Sequence, residues 1–233
     1  MGGAGRYGEL VTEALAAGDL AVGSAAGALT PWIEAVASWN QQMDLTAARD
    51  DRELVDLMVA DALALAGVLA PATDGRRTVV DVGSGAGPPG LPLGLLRDDL
   101  AVTLVEPKQK RAALLRMTLG RLGCAAPVAG PVPRGQGPAI QVRQARGEAV
   151  VERFDVALSR ATLPPPAWLE LGARLAPTGE VWVLLAREPA PELAGWRAVQ
   201  EHSYRWPLTG AARSLVCYQP CASEEEQEVQ ARG

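Results

Sequence analysis

Thr78-Val-Val-Asp-Val-Gly-Ser-Gly-Ala-Gly-Pro-Pro-Gly90 is the stretch whose reading decides the fold. An apolar run of strand length breaks into glycines at 83, 85 and 87, and a helix can then start near Pro88 or Pro89. Glycine removes the side chains that would keep backbone away from a ligand, and the first turn of a helix has N–H groups without intrahelical partners to direct toward it. The order strand, turn, helix therefore predicts a ligand-binding turn at residues 83–88. Asp81, two residues before the first glycine, is placed to orient that turn and to face a cationic ligand. The next strand, Val102–Val105, delivers Glu106 at its C-terminal end, 25 residues after Asp81, where a carboxylate can accept both hydroxyls of a ribose.

Working outward, short apolar runs alternate with helical stretches. Thr78–Val82, Val102–Val105, Phe154–Leu158 and Val181–Leu185 read as buried strands, while Leu91–Leu96 and Lys110–Leu122 read as helices. This is the pattern of a doubly wound α/β fold. Upstream of the polar link Pro71–Arg77, residues 1–70 read as an N-terminal helical extension, with Leu54, Leu57, Met58, Leu65 and Leu69 sharing one face. One helix is predicted to begin with Thr30 as N-cap and Pro31 at the first helical position, running through Trp32, Val36 and Trp39; another follows Asp50. Residues 71–221 then form the ligand-binding domain, with Gly130–Pro138 as a surface loop, and residues 222–233 an acidic, disordered tail.

At 233 residues and 48% hydrophobic content the chain can bury one substantial core. No apolar run reaches the length of a membrane span, and Glu9 and Glu13 interrupt the N-terminal region, so neither membrane nor secretion signal is read and a cytoplasmic protein is expected. Cys124, Cys217 and Cys221 form no disulfide set or ligand pattern, and His202 is the only histidine, so no metal site is expected. Cys217 and Cys221 read as buried thiols, His202 as a surface residue and most of the six tryptophans as core. The formal charge is −5, of which the last eleven residues carry −3, leaving −2 for the body. That balance argues against indiscriminate nucleic-acid binding while allowing a local basic face. Lys108, Lys110, Arg111, Arg116 and Arg121 supply such a face on the helix beside the glycine turn, and Arg143, Arg146 and Arg160 can extend it.

Gly85, Gly87 and Gly90 also satisfy the GxGxxG pattern of a nicotinamide dinucleotide site. Two features favour S-adenosylmethionine: Asp81 is available to a cation, and the closely spaced GxGxG suits a nucleoside better than a pyrophosphate. In addition, Phe154-Asp-Val-Ala-Leu158 and Leu175-Ala-Pro-Thr-Gly-Glu-Val-Trp-Val-Leu-Leu185 resemble the fourth and fifth strands of class I methyltransferases.

The resemblance narrows further with Trp39-Asn-Gln-Gln-Met-Asp-Leu-Thr46, Arg49-Asp50, Asp61-Ala-Leu63, Asp81–Pro92, Glu106 with Lys110-Arg111, Arg146-Gly-Glu148 and Ser159-Arg-Ala161. Over most of residues 30–220 the chain resembles the RsmG (GidB) family, which methylates N7 of a guanine in bacterial 16S ribosomal RNA. The resemblance implies a Rossmann-like, mostly parallel seven-stranded sheet, S-adenosylmethionine as cofactor, and 16S ribosomal RNA or the small ribosomal subunit as partner. It also implies that Gly83 and Pro88 line the cofactor turn, that Gly147 and Glu148 sit beside the adenine, and that Arg160 lies at the junction of cofactor and substrate as the catalytic residue. Lys110, Arg111 and Arg146 would then meet RNA. The chain departs from the family at Met58, where a histidine is usual, at Ala62 and Asp44 in place of serine and asparagine, and at Val183–Ala186, where a lysine is missing and Arg187 stands nearby. These departures keep two other readings open: a methyltransferase for another acceptor, and a non-catalytic cofactor-binding regulator. Asp61, on the apolar face of its helix, reads as a satisfied structural carboxylate.

Overall fold

Val79, Val80 and Val82 are buried on both faces of β1 (Arg77–Val82), as a strand must be when helices cover a parallel sheet on two sides. The computed structural model describes residues 4–18, 23–124 and 137–221. Its other strands are β2 (Leu100–Val105), β3 (Ala139–Arg143), β4 (Val156–Ser159), β5 (Glu180–Leu185), β6 (Trp196–Arg205) and β7 (Ala212–Pro220). They form one seven-stranded sheet in the order β3-β2-β1-β4-β5-β7-β6. Strands β1 to β5 pair in parallel, and β7 runs antiparallel to both β5 and β6. The chain order reverses between β1 and β4, and in sheets of this kind the ligand crevice opens outside the C-terminal ends of the strands at that reversal.

Helices α1 (Ala4–Ala17), α2 (Gly23–Met43), α3 (Asp51–Val68), α4 (Gly90–Leu96) and α5 (Gln109–Leu122) contribute to one apolar layer around Trp32, Met58, Leu91 and Leu104. Helix α6 (Pro165–Leu175) packs Trp168, Leu169 and Leu171 against Val80, Val82 and Val181 on the opposite face. Helix α3 starts where expected: the Asp50 side chain accepts from Glu53 N at 2.8 Å, and its apolar face buries Leu54, Met58 and Leu65, with Leu69 just beyond its end. Asp155, just ahead of β4, accepts from both N and Oγ1 of Thr78 (2.7 and 2.8 Å), joining the starts of β1 and β4.

Three expectations need correction. Pro31 does not open α2 but lies inside it, two turns from the start at Gly23. A proline there removes one intrahelical hydrogen bond, yet Leu29, Trp32, Ile33 and Val36 form a buried stripe through the position, and the ring itself faces solvent. Cys221 is exposed beyond the end of β7; of this pair Cys217 alone is buried, and burial pushes its thiol up to about 12. His202 is half-buried rather than free at the surface, its ring stacked on Tyr204 at 6.1 Å. Four tryptophans, at 32, 168, 182 and 206, are buried as expected. Residues 130–136 of the expected surface loop and the expected tail at 222–233 lie outside the described residues. No described helix is long and apolar enough to cross a membrane.

Candidate active site

The glycine turn follows directly from β1. Gly83, Gly85 and Gly87 adopt φ of +77°, +56° and +124°, a region costly for any residue with a Cβ. Space adds a second constraint at Gly83, where a Cβ would collide with the Thr162 side chain. The turn is anchored to β2, because N–H of Gly83 and of Ser84 donate to Val105 O at 2.8 and 3.2 Å. Beneath it Asp81 is fully buried: Oδ2 accepts from Gly90 N at 3.1 Å, while Oδ1 has no hydrogen-bond partner. Burial raises its carboxyl to about 7 against the pull of the Gly90 N–H.

One expectation about this turn fails. Pro88 and Pro89 carry no N–H, the Gly90 N–H is held by Asp81, and the Leu91 N–H donates to Gly87 O at 2.8 Å. The start of α4 therefore presents none of these donors to a ligand. Glu106 instead brings its carboxylate to the turn, Oε2 accepting from Gly85 N (2.9 Å) and Oε1 from Lys108 N (2.8 Å). Each oxygen keeps acceptor capacity for a further hydroxyl. Gly147, in a short turn after β3, packs so closely that a Cβ would stand 2.6 Å from Val82 Cγ1, whereas Glu148 is exposed. Asp81, Gly83, Gly85, Gly87, Pro88, Glu106 and Gly147 thus gather around the C-terminal ends of β1, β2 and β3.

Arg160 follows β4 and reaches α3, where its Nη1 donates to Leu57 O and to Asp61 Oδ2, the latter at 3.1 Å. Asp61 Oδ1 accepts from Tyr204 OH (2.6 Å) and Trp206 Nε1 (3.1 Å), so this carboxylate is indeed satisfied and joins α3, the β4 loop and the end of β6. Burial and the neighbouring Asp61 charge hold the Tyr204 hydroxyl far above its usual range. Arg213 of β7 lies over the Trp206 ring, 4.1 Å from its centroid. Together these groups border a cavity of about 220 Å³ whose other walls come from Ala161, Leu184 and Glu188. Ala161 has φ of +52°, a strained conformation for alanine.

The expected basic face is dispersed. Lys110 and Arg146 are exposed, Arg111 Nη2 donates to Asp44 O at 3.1 Å, and Arg143 pairs with Glu152. Asp44 itself has φ of +48°, which an aspartate tolerates as an asparagine does. Arg187 lies outside the cavity lining, and the cation that borders it besides Arg160 is Arg213. Sequence reading missed Tyr204, Trp206, Arg213 and Glu188. The only signal was the spacing of Tyr204 and Trp206, which puts two aromatics on one face of a strand. No cluster able to hold a metal ion occurs among the described residues.

A glycine turn and a carboxylate after β2 at the strand reversal, with a cavity at the ends of β4 and β5, mark an enzyme of the Rossmann-like methyltransferase class. The chain belongs to the GidB family, described as rRNA small subunit methyltransferase G, whose profile matches residues 26–204. It is 34% identical over 220 residues to "Ribosomal RNA small subunit methyltransferase G" of Anaeromyxobacter dehalogenans strain 2CP-C, covering 89% of this chain and 96% of that protein. The protein of the same name from Myxococcus xanthus is 33% identical over 219 residues, covering 88% and 95%. Among solved structures, M. jannaschii TYW2 in complex with AdoMet superposes with a TM-score of 0.50 over 70% of this chain and 75% of that chain, at 11% identity, a likeness of fold.

Proposed function

We propose that this enzyme transfers a methyl group from S-adenosylmethionine to N7 of a guanine in 16S ribosomal RNA, working in the cytoplasm on that RNA or on the small subunit. The observation that carries the reading is the contact between its two halves. Thr162 packs on Gly83 at the cofactor turn, while Arg160 and Ala161, immediately before it, border the cavity. A donor in the turn and an acceptor in the cavity would be neighbours.

The cofactor fit rests on three features. The unpartnered Asp81 Oδ1 leaves uncompensated acceptor capacity beneath the turn, which favours a cation. Glu106 can accept from a ribose. The engaged N–H groups at the start of α4 disfavour a dinucleotide, whose pyrophosphate needs such donors free. When bound, S-adenosylmethionine supplies an electrophilic methyl on a sulfonium. Guanine N7 carries an in-plane lone pair and no proton, so no general base is required. The protein's part is to align the base and keep water out. Arg160, fixed by Asp61, would position the base; Lys110, Arg111 and Arg146 would meet the RNA backbone. Met58 and Ala62 pack in the core and do not line the cavity, so these two departures from the family give no reason to seek another acceptor.

The test uses small subunits from a strain lacking this gene. Incubation with purified protein and S-adenosylmethionine should produce one 7-methylguanosine, detected by mass spectrometry of the digested RNA. Absence of that nucleoside, with cofactor binding intact by calorimetry, would reject the acceptor and return the other two readings.

A further inference from the structure

Glu188 stands in the loop after β5, on the wall of the Arg160 cavity farther from the glycine turn. Its Oε2 accepts from Ala186 N at 3.1 Å and from Arg187 N at 3.0 Å. Among the described residues no other residue donates to Oε1. The residue is exposed at the cavity mouth, and the N–H groups of Arg187, of Glu188 itself and of Ala186 hold its carboxyl below its usual range, so it is ionised at neutral pH and can only accept.

The sheet order fixes how a base would lie. Strand β4 separates β1 from β5, so the cavity has an inner wall at Arg160 and Ala161 and an outer wall at Glu188. At about 220 Å³ it is smaller than the roughly 300–1,000 Å³ clefts that take larger ligands, a size suited to a single unstacked base. A purine presenting N7 to the inner wall turns its Watson–Crick edge outward. On guanine that edge carries the N1–H and N2 amino donors. On adenine the two matching positions are a ring nitrogen acceptor and a C–H, which leave a carboxylate placed opposite them unpaired, and the one amino donor of that edge sits instead where guanine has O6.

We infer that Glu188 selects guanine in this cavity, its Oε1 accepting from the N1–H and N2 amino group of the base. The inference rests on the N7 reading above. It gives the outer wall a discriminating role, separate from the positioning role of Arg160.

The experiment compares small-subunit RNA ligated to carry either guanosine or inosine at the methylated position, since inosine lacks only the N2 amino group. For the unmodified enzyme, kcat/KM should fall about tenfold or more with inosine, the scale of one hydrogen bond to a charged group. Glu188→Gln keeps a carbonyl oxygen for the Ala186 and Arg187 N–H groups but turns an amine toward the guanine donors. It should lose about tenfold or more on guanosine RNA and show a guanosine-to-inosine ratio near one, with an unchanged melting temperature. An equal inosine penalty in variant and unmodified enzyme would overturn the role of Glu188, as would equal use of both RNAs by the unmodified enzyme. If the unmodified enzyme forms no 7-methylguanosine, the N7 reading fails and this inference falls with it.

Discussion

The glycine turn is built from thirteen consecutive residues, Thr78 to Gly90, whereas the Arg160 cavity is drawn from α3, the loops after β4 and β5, and the β6–β7 hairpin. The turn is held mainly by backbone hydrogen bonds to β2 and by close glycine packing. The cavity depends on one carboxylate, Asp61, that binds Trp206 from 145 residues away. Neighbours along the chain form the first with little loop closure to offset; the second requires the whole sheet in place.

The contrast can be broken at Asp61. Replacing it with alanine strands Tyr204 OH, Trp206 Nε1 and a half-buried arginine, a loss of about 3–5 kcal/mol by analogy with broken buried ion pairs. For a chain of this size that is a fall in melting temperature of roughly 6–20 °C. Calorimetry showing a fall below about 2 °C would mean that the cavity does not hang on this residue.

Asp81 sharpens the comparison from the other side. Its carboxyl stands at about 7 in the folded chain, well above the roughly 3.9 of a free aspartate, mainly through burial. A raised value stabilises the fold fully below the unfolded pKa and loses that contribution as pH rises through the folded one. Between pH 4 and 7 the cofactor-free protein should therefore lose up to about 1.4 kcal/mol per pH unit through this group, and Asp81→Asn should remove that slope. Melts of both proteins across this range decide it, and parallel curves would place the charge elsewhere.

The smallest effect is expected at Gly90, where a Cβ would stand 2.6 Å from Asp81 Cβ and 2.7 Å from Leu104 Cδ2. Gly90→Ala should cost about 1–3 kcal/mol in denaturant unfolding. A neutral result would show that the turn and α4 can separate.

The same contrast explains what could be read in advance. Strand β1, the glycine turn and Glu106 announce themselves because a short apolar run, φ-permissive glycines and a strand-end carboxylate are local properties of the chain. Thr30–Pro31 misled because a proline reads locally as a helix start, while the buried stripe from Leu29 to Val36 that carries α2 through it is a tertiary fact. Asp61 was legible as a satisfied carboxylate, but its partners were not, since nothing near residue 61 points to Tyr204, Trp206 or Arg160. Glu188 and Arg213 were invisible for the same reason: their setting exists only once β7 has taken its place beside β5.

That placement has a temporal consequence. Strand β7 inserts between β5 and β6, although it is made after both. On a translating ribosome adding about 5–20 residues per second, the glycine turn leaves the tunnel on the order of ten seconds before the segment that anchors β6. A nascent chain thus has its glycine turn outside the tunnel while the opposite wall is still unmade.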